Sequence, residues 1–194
     1  MTQPADGDSY SCSSLTSTPR MREEAQGYRK EKSFPFETDE CLSFTGHRHL
    51  TAQDVERLDA LLPQVLEEYY QQGKRVFLSG GALGFDTLAA QAVLALRKKH
   101  PAVQLIMVLP CHSQASRWSP ADRRIYQDIL ADADRVIYVS EDYFPGCMQK
   151  RNRFLVQHAN VCLCFLLRCR GGTWTTVSYA YDLRRIIRNL AMEI

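Results

Sequence analysis

From residue 40 onward, short apolar runs alternate with longer segments whose apolar residues recur every three or four positions. The short runs cover 41–45, 75–79, 103–109, 135–139 and 160–166. The central ones are continuously apolar instead of alternating, which predicts strands buried on both faces. The longer segments have helical periodicity. In the first, Val55, Leu58, Leu61, Leu62, Val65, Leu66 and Tyr69 share one face. Thr51 with Asp54 gives a capping-box pattern before it, and Gly73 can close it. Pro63 interrupts that pattern and predicts a kink or a lost hydrogen bond. Further helices are predicted over about 83–99, 120–131, 148–158 and 173–191.

Five such alternations predict an α/β domain, with a Rossmann-like, doubly wound and mainly parallel sheet of five or more strands covered by helices on both faces. Ligands of such sheets bind beyond the carboxyl ends of the strands, where strand order reverses. The strand-end loops are therefore where chemistry is expected. Residues 1–38 break the pattern. Serine and threonine dominate 9–19, and 20–32 are charged with few apolar positions. Too little apolar surface is available there to offset ordering entropy, so a disordered tail is predicted ahead of one α/β domain at 39–194.

Composition removes several function classes. The chain has 194 residues, 45% hydrophobic and 24% charged, which fits a single globular domain. No apolar run approaches the roughly 18 residues that span a bilayer, and no secretory pattern opens the chain. A cytoplasmic protein without a membrane partner is expected. A net charge of +2 is too slight to mark a nucleic-acid footprint by itself. The seven cysteines are odd in number and include no Cys-x-x-Cys pair. They are read as reduced and buried. A zinc site of Cys162, Cys164, Cys169 and His158 is the alternative, although only the first two would share a strand face. No metal and no cofactor is expected.

Two strand ends stand out. One continues into Ser79-Gly80-Gly81-Ala82-Leu83-Gly84-Phe85-Asp86, the other into Arg170-Gly171-Gly172-Thr173. Glycines ahead of a helix let an anion, typically a phosphate, reach the free backbone N–H groups and the positive end of the macrodipole. Ser79, Gly80, Gly81 and Ala82 would form one such cradle, and Gly171, Gly172 and Thr173 a second. Neither is a P-loop or a Gly-x-Gly-x-x-Gly fingerprint, and no magnesium-ligand pattern follows them, which predicts phosphate binding without an obligate metal.

The remaining loops add candidates. Thr45, Gly46 and Arg48 follow the first strand, and the planar fork of Arg48 suits a phosphate or carboxylate. Trp118 is either a stacking surface for a base or a plug at the edge of the core. Arg151 and Asn152 lie in a basic helix start that opposes the macrodipole, a local cost that a ligand would explain. Asp86 is a helix cap, a ribose ligand or an acid–base group. Glu141 is a second candidate carboxylate for catalysis. No catalytic residue is fixed by these patterns.

Four motifs at strand ends also occur in a known group. Phe44-Thr45-Gly46-His47-Arg48, Ser79-Gly80-Gly81-Ala82-x-Gly84-x-Asp86, Met148-x-x-Arg151-Asn152 and Gly171-Gly172-Thr173 together resemble the YpsA-like branch of the SLOG superfamily. That superfamily joins the Smf/DprA DNA-processing proteins with the Lonely Guy proteins. The likeness covers about residues 40–190. It implies a bacterial, Rossmann-like protein that binds nucleotides or nucleotide-derived ligands and belongs to a group that often forms homodimers. Lonely Guy members cleave the base from a nucleoside monophosphate, DprA members bind single-stranded DNA, and other members sense NAD-derived or ADP-ribose-like signals.

One departure matters. The Lonely Guy pattern Gly-Gly-x-Gly-Thr-x-x-Glu, laid over Gly171 and Gly172, puts Trp174 at the third glycine and Ser178 at the catalytic glutamate. The resemblance therefore favours a sensor or regulatory protein holding an ADP-ribose-, NAD- or nucleoside-phosphate-like small molecule. One alternative is a Lonely Guy-like phosphoribohydrolase in which Asp86 or Glu141 supplies the acid. The other is a DprA-like single-stranded DNA binder, against which the slight net charge argues.

Overall fold

The computed structural model describes residues 34–194. Six strands form one parallel sheet: β1 (Cys41–Gly46), β2 (Val76–Ser79), β3 (Gln104–Leu109), β4 (Arg135–Tyr138), β5 (Val161–Phe165) and β6 (Ile186–Asn189). Five helices connect them: α1 (Ala52–Gln71), α2 (Phe85–Lys99), α3 (Pro120–Asp132), α4 (Cys147–Gln157) and α5 (Gly171–Asp182). The order across the sheet is β4-β3-β2-β1-β5-β6. The chain builds outward from β1 to β4, then crosses back to place β5 on the other side of β1. Strand order therefore reverses between β1 and β5, where Thr45 pairs with Cys164 and Gly46 with Phe165. Neighbouring strands whose connections diverge leave a crevice beyond their carboxyl ends. The α/β, doubly wound sheet predicted by the alternation is present.

Alternate strand residues feed opposite layers. Leu42, Phe44, Phe77, Leu105 and Met107 pack against Leu58, Leu62 and Val65 of α1 and Ala89 and Val93 of α2. On the other face, Cys41, Val76, Leu78 and Ile106 meet Phe154 and Leu155 of α4. Cys162 and Cys164 meet Val156, Val177 and Ala180 of α4 and α5. Cover on both faces is why these strands read as continuous apolar runs. Burial pushes the Cys162 thiol up to about 12 and that of Cys164 higher still, so both act as small apolar side chains. His158 instead stacks on Phe154, and Cys169 is exposed beyond the strand. The four residues of the zinc alternative thus do not converge, and among the described residues no cluster of three or more His, Cys, Asp or Glu suits a metal.

Local signals account for the helix ends. The Thr51 hydroxyl accepts from the Asp54 N–H at 3.1 Å while the Asp54 carboxylate accepts from the Thr51 N–H at 2.8 Å, which is the capping box. Helix α1 runs unbroken past Pro63, which lies exposed on its solvent side. The last predicted helix is the main difference. It stops at Asp182 instead of continuing to residue 191. Arg184 turns into the left-handed region (φ 55), and its neighbour Arg185 donates to the carbonyls of Val156 and Gln157. The β-branched Ile186 and Ile187 then pair with Val161 and Cys162 as β6.

The predicted tail lies mostly outside the described residues. Within them, Phe34 packs edge-on against Phe154 at 5.7 Å and contacts His158, and Phe36 joins the same cluster. At the amino ends of the strands, buried Lys74 donates to the Asn160 side chain at 2.7 Å and to the Asp39 carbonyl. Asn160 in turn donates to the Asp39 carboxylate at 2.9 Å. This tie joins β1, β2 and β5 at the end opposite the crevice.

Candidate functional site

The crevice at the strand-order reversal holds a cavity of about 340 Å3. Thr45, Gly46, His47 and Arg48 line it from the end of β1, Ala82 and Asp86 from the β2–α2 turn, Met148, Arg151 and Asn152 from α4, and Gly172 and Thr173 from α5.

The β2–α2 turn is filled by the protein itself. Ser79 Oγ accepts from the Gly81 N–H at 3.2 Å and donates to the Asp86 carbonyl at 3.3 Å. Asp86 Oδ2 accepts from the Ala82 N–H at 3.3 Å. Arg151 Nη1 donates to the Gly80 carbonyl, and a Cβ on Gly80 would land on that guanidinium. Gln114 closes the outside, donating to the Gly81 carbonyl at 2.6 Å. Ser79, Gly80 and Gly81 therefore lie behind Arg151, and the amides expected to meet an anion already serve Ser79 and Asp86. Glycine is required here by the close approach of Arg151.

Asp86 and Arg151 are each only 5% exposed. Burial pushes the Asp86 carboxyl up to about 6, and the opposing pull of Arg151, the turn amides and Arg48 does not cancel it. Burial likewise lowers Arg151, with Asp86 working against it. The floor of the cavity is thus a buried cation beside a carboxyl that takes up a proton near pH 6.

The β5–α5 turn is open. No side chain caps α5, and a Cβ on Gly172 would meet nothing within 4 Å. The Thr173 hydroxyl donates to the Gly46 carbonyl at 3.0 Å and holds the helix start against β1. The Thr176 hydroxyl donates to the Gly172 carbonyl at 2.9 Å and accepts from Asn152 Nδ2 at 2.8 Å. Asn152 Oδ1 receives Arg151 Nε at 2.7 Å, so one amide fixes the guanidinium relative to α5. His47 Nε2 accepts from the Leu167 N–H at 3.0 Å, which requires a neutral ring. Burial and nearby Arg168 lower the His47 pKa accordingly. The result is an uncapped helix N-terminus facing Arg151 across the cavity, with exposed Arg48 at its mouth.

Trp118 does not line this cavity; its ring sits edge-on against Tyr126 at 5.2 Å. Glu141 is also outside it, exposed and paired with His112 at 3.2 Å. Gly171 precedes the lining residues as the first residue of α5. In the sequence His47 and Met148 stood within the family motifs without a role of their own, and Thr176 was not a candidate. The positions of Thr176 four residues after Gly172, and of Met148 one turn before Asn152, were the available signals.

Comparison with known proteins now bears on this arrangement. A family model described as the YspA SLOG family (YpsA) matches residues 43–180. The chain belongs to that family. Among relatives, it is 31% identical over 134 residues to the uncharacterized SPbeta prophage-derived protein YoqJ of Bacillus subtilis, covering 63% of this chain and 78% of that one. It is 31% identical over 121 residues to UPF0398 protein BH1768 of Halalkalibacterium halodurans, covering 61% and 62%. The fold is similar to that of DNA processing protein A from Helicobacter pylori, a structure described for its single-stranded DNA binding mode. The TM-score is 0.56 at 22% identity, covering 77% of this chain and 64% of that one. The SLOG domain thus spans somewhat under two thirds of the UPF0398 and DNA processing chains. Among the described residues no helix is long and apolar enough to cross a membrane.

Proposed function

We propose that the cavity between β1, α4 and α5 binds the phosphorylated part of a nucleotide or nucleotide-derived ligand, and that the protein is a cytoplasmic sensor or regulator built on a domain at 39–194. ADP-ribose-, NAD- and nucleoside-phosphate-like molecules are the ligand class. The observation that carries this reading is the open start of α5. Its N–H groups lack a side-chain cap, and they face a buried arginine held by Gly80 and Asn152. A cavity of about 340 Å3 also falls in the size range of small-molecule sites, roughly 300–1,000 Å3. SLOG membership supports a nucleotide over other phosphorylated molecules. Thermal-shift and calorimetric screens against ADP-ribose, NAD, AMP and cyclic dinucleotides test it, with stabilisation by at least one of them expected. Silence across the panel removes the reading.

A hydrolytic role is the second reading, favoured by one observation: Asp86 is the carboxylate that lines the cavity, and burial leaves it able to hold a proton near pH 6. It would serve as the acid in cleavage of an N-glycosidic bond. Release of free adenine from AMP, lost in Asp86→Asn, is its signature. Single-stranded DNA binding is supported by the fold likeness to DNA processing protein A. A mobility-shift titration at several salt concentrations separates it, since such binding strengthens steeply as salt falls.

A further inference from the structure

A second cavity, of about 410 Å3, opens beside the first. Arg48 lines both. Its charge also acts on Asp86 and Arg151 at the floor of the first, so the two cavities meet at its side chain. The walls of the second are of a different kind. Leu50, Val55, Leu83, Leu88 and Ile125 supply half of the lining residues, from the β1–α1 loop, α1, the β2–α2 turn, α2 and α3. Leu50 and Leu88 lean on the main core, but Val55, Leu83 and Ile125 pack into none of the three apolar clusters. Ile125 remains 39% exposed. Three aliphatic side chains from separate elements therefore converge on open space without serving the core. At the rim, Asp122 accepts from the Ser119 hydroxyl at 2.7 Å and keeps a second oxygen for a donor.

We propose that this aliphatic cavity receives the base of the same nucleotide whose phosphate lies against α5, with Arg48 between the two. The inference rests on the anion-site reading above and specifies the ligand further. The ligand must join a flat, weakly polar ring to a phosphate, and its ring contributes affinity by burial against Leu83 and Ile125. A phosphorylated sugar without a base would occupy only the first cavity.

Calorimetry with AMP, ADP-ribose and ribose 5-phosphate tests this on the full chain and on Leu83→Ser/Ile125→Ser. Both positions lie outside the clustered core, so the variant should fold; an unchanged circular-dichroism melt checks that. The tighter of AMP and ADP-ribose should bind the native chain at least tenfold better than ribose 5-phosphate. The double variant should weaken that nucleotide roughly fivefold or more, by the apolar area removed, and leave ribose 5-phosphate unchanged. Equal affinity for the nucleotides and the sugar phosphate overturns the second-cavity inference alone. So does a nucleotide preference that the double variant leaves intact, because the ring then sits elsewhere. Failure of all three probes to bind the native chain overturns the anion site and this inference with it.

Discussion

The two glycine turns of this SLOG domain look alike in sequence and differ in what fills them. In the β2–α2 turn, the space ahead of the helix is occupied by Arg151, and the amides are satisfied by Ser79 and Asp86. In the β5–α5 turn, no side chain caps the helix and the volume at Gly172 is empty. Glycine in the first turn makes room for the protein's own guanidinium, whereas glycine in the second leaves room for something else. A glycine-rich strand end is therefore not itself a phosphate site. Whether an internal group has already taken the cradle decides its role.

The largest effect should come from filling the first turn. Gly80→Ala puts a methyl group on the Arg151 guanidinium and drives it off the Gly80 carbonyl. The displaced cation remains buried, so a loss of about 3–4 kcal/mol is expected in denaturant unfolding. A loss under about 1 kcal/mol would show that Arg151 is loosely held and the turns less different than they look.

Asp86 offers the next test, through pH. Its carboxyl in the folded protein holds a proton up to about pH 6, against 3.8 unfolded. Between those values the unfolded chain binds fewer protons, so stability falls as pH rises from about 4 to about 6 and stays lower above. The term is on the order of 2–3 kcal/mol. Asp86→Asn lacks this titration, so the stability difference between the native chain and the variant should narrow in the variant's favour over that window. A difference that is flat with pH would mean Asp86 is not buried beside Arg151 as described.

Lys74→Met checks that the contrast is local to the crevice. It strands the Asn160 side chain and the Asp39 carbonyl at the far end of the sheet, a loss of about 2 kcal/mol. Nucleotide binding should not change, and altered affinity would tie the site to the whole sheet. The smallest effect belongs to the second turn. Gly172→Ala meets open space and should shift stability by no more than about 0.5 kcal/mol.

Most of the framework was legible because continuous apolar strands and periodic helices carry strong signals. The sixth strand was not. Leu183, Ile187 and Leu190 continue a helical spacing, and only the left-handed turn at Arg184, held by Arg185 on α4, breaks it. The position of Arg151 in the cavity followed from a basic helix start at a strand end. Its preoccupation with Gly80 did not, since that depends on β2 and α4 meeting across more than seventy residues. For Thr176 the spacing from Gly172 was readable, but its tie to Asn152 was not, since that partner lies on a different helix. Trp118 had equal sequence grounds as a stacking surface or a plug, and only the packing of α3 set it against Tyr126.

The central claim is that the open start of α5 holds an anion opposite Arg151. Gly172→Asp tests it most directly. The substituted carboxylate favours the helix N-terminus by about 0.3–1 kcal/mol, so the fold should be unharmed, yet it occupies the space an anion needs. Calorimetric titration of AMP and ADP-ribose should show saturable binding to the native chain and at least tenfold weaker binding to the variant, whose melting temperature does not fall. Equal binding to both proteins, or no saturable binding of either nucleotide to the native chain, would contradict the account.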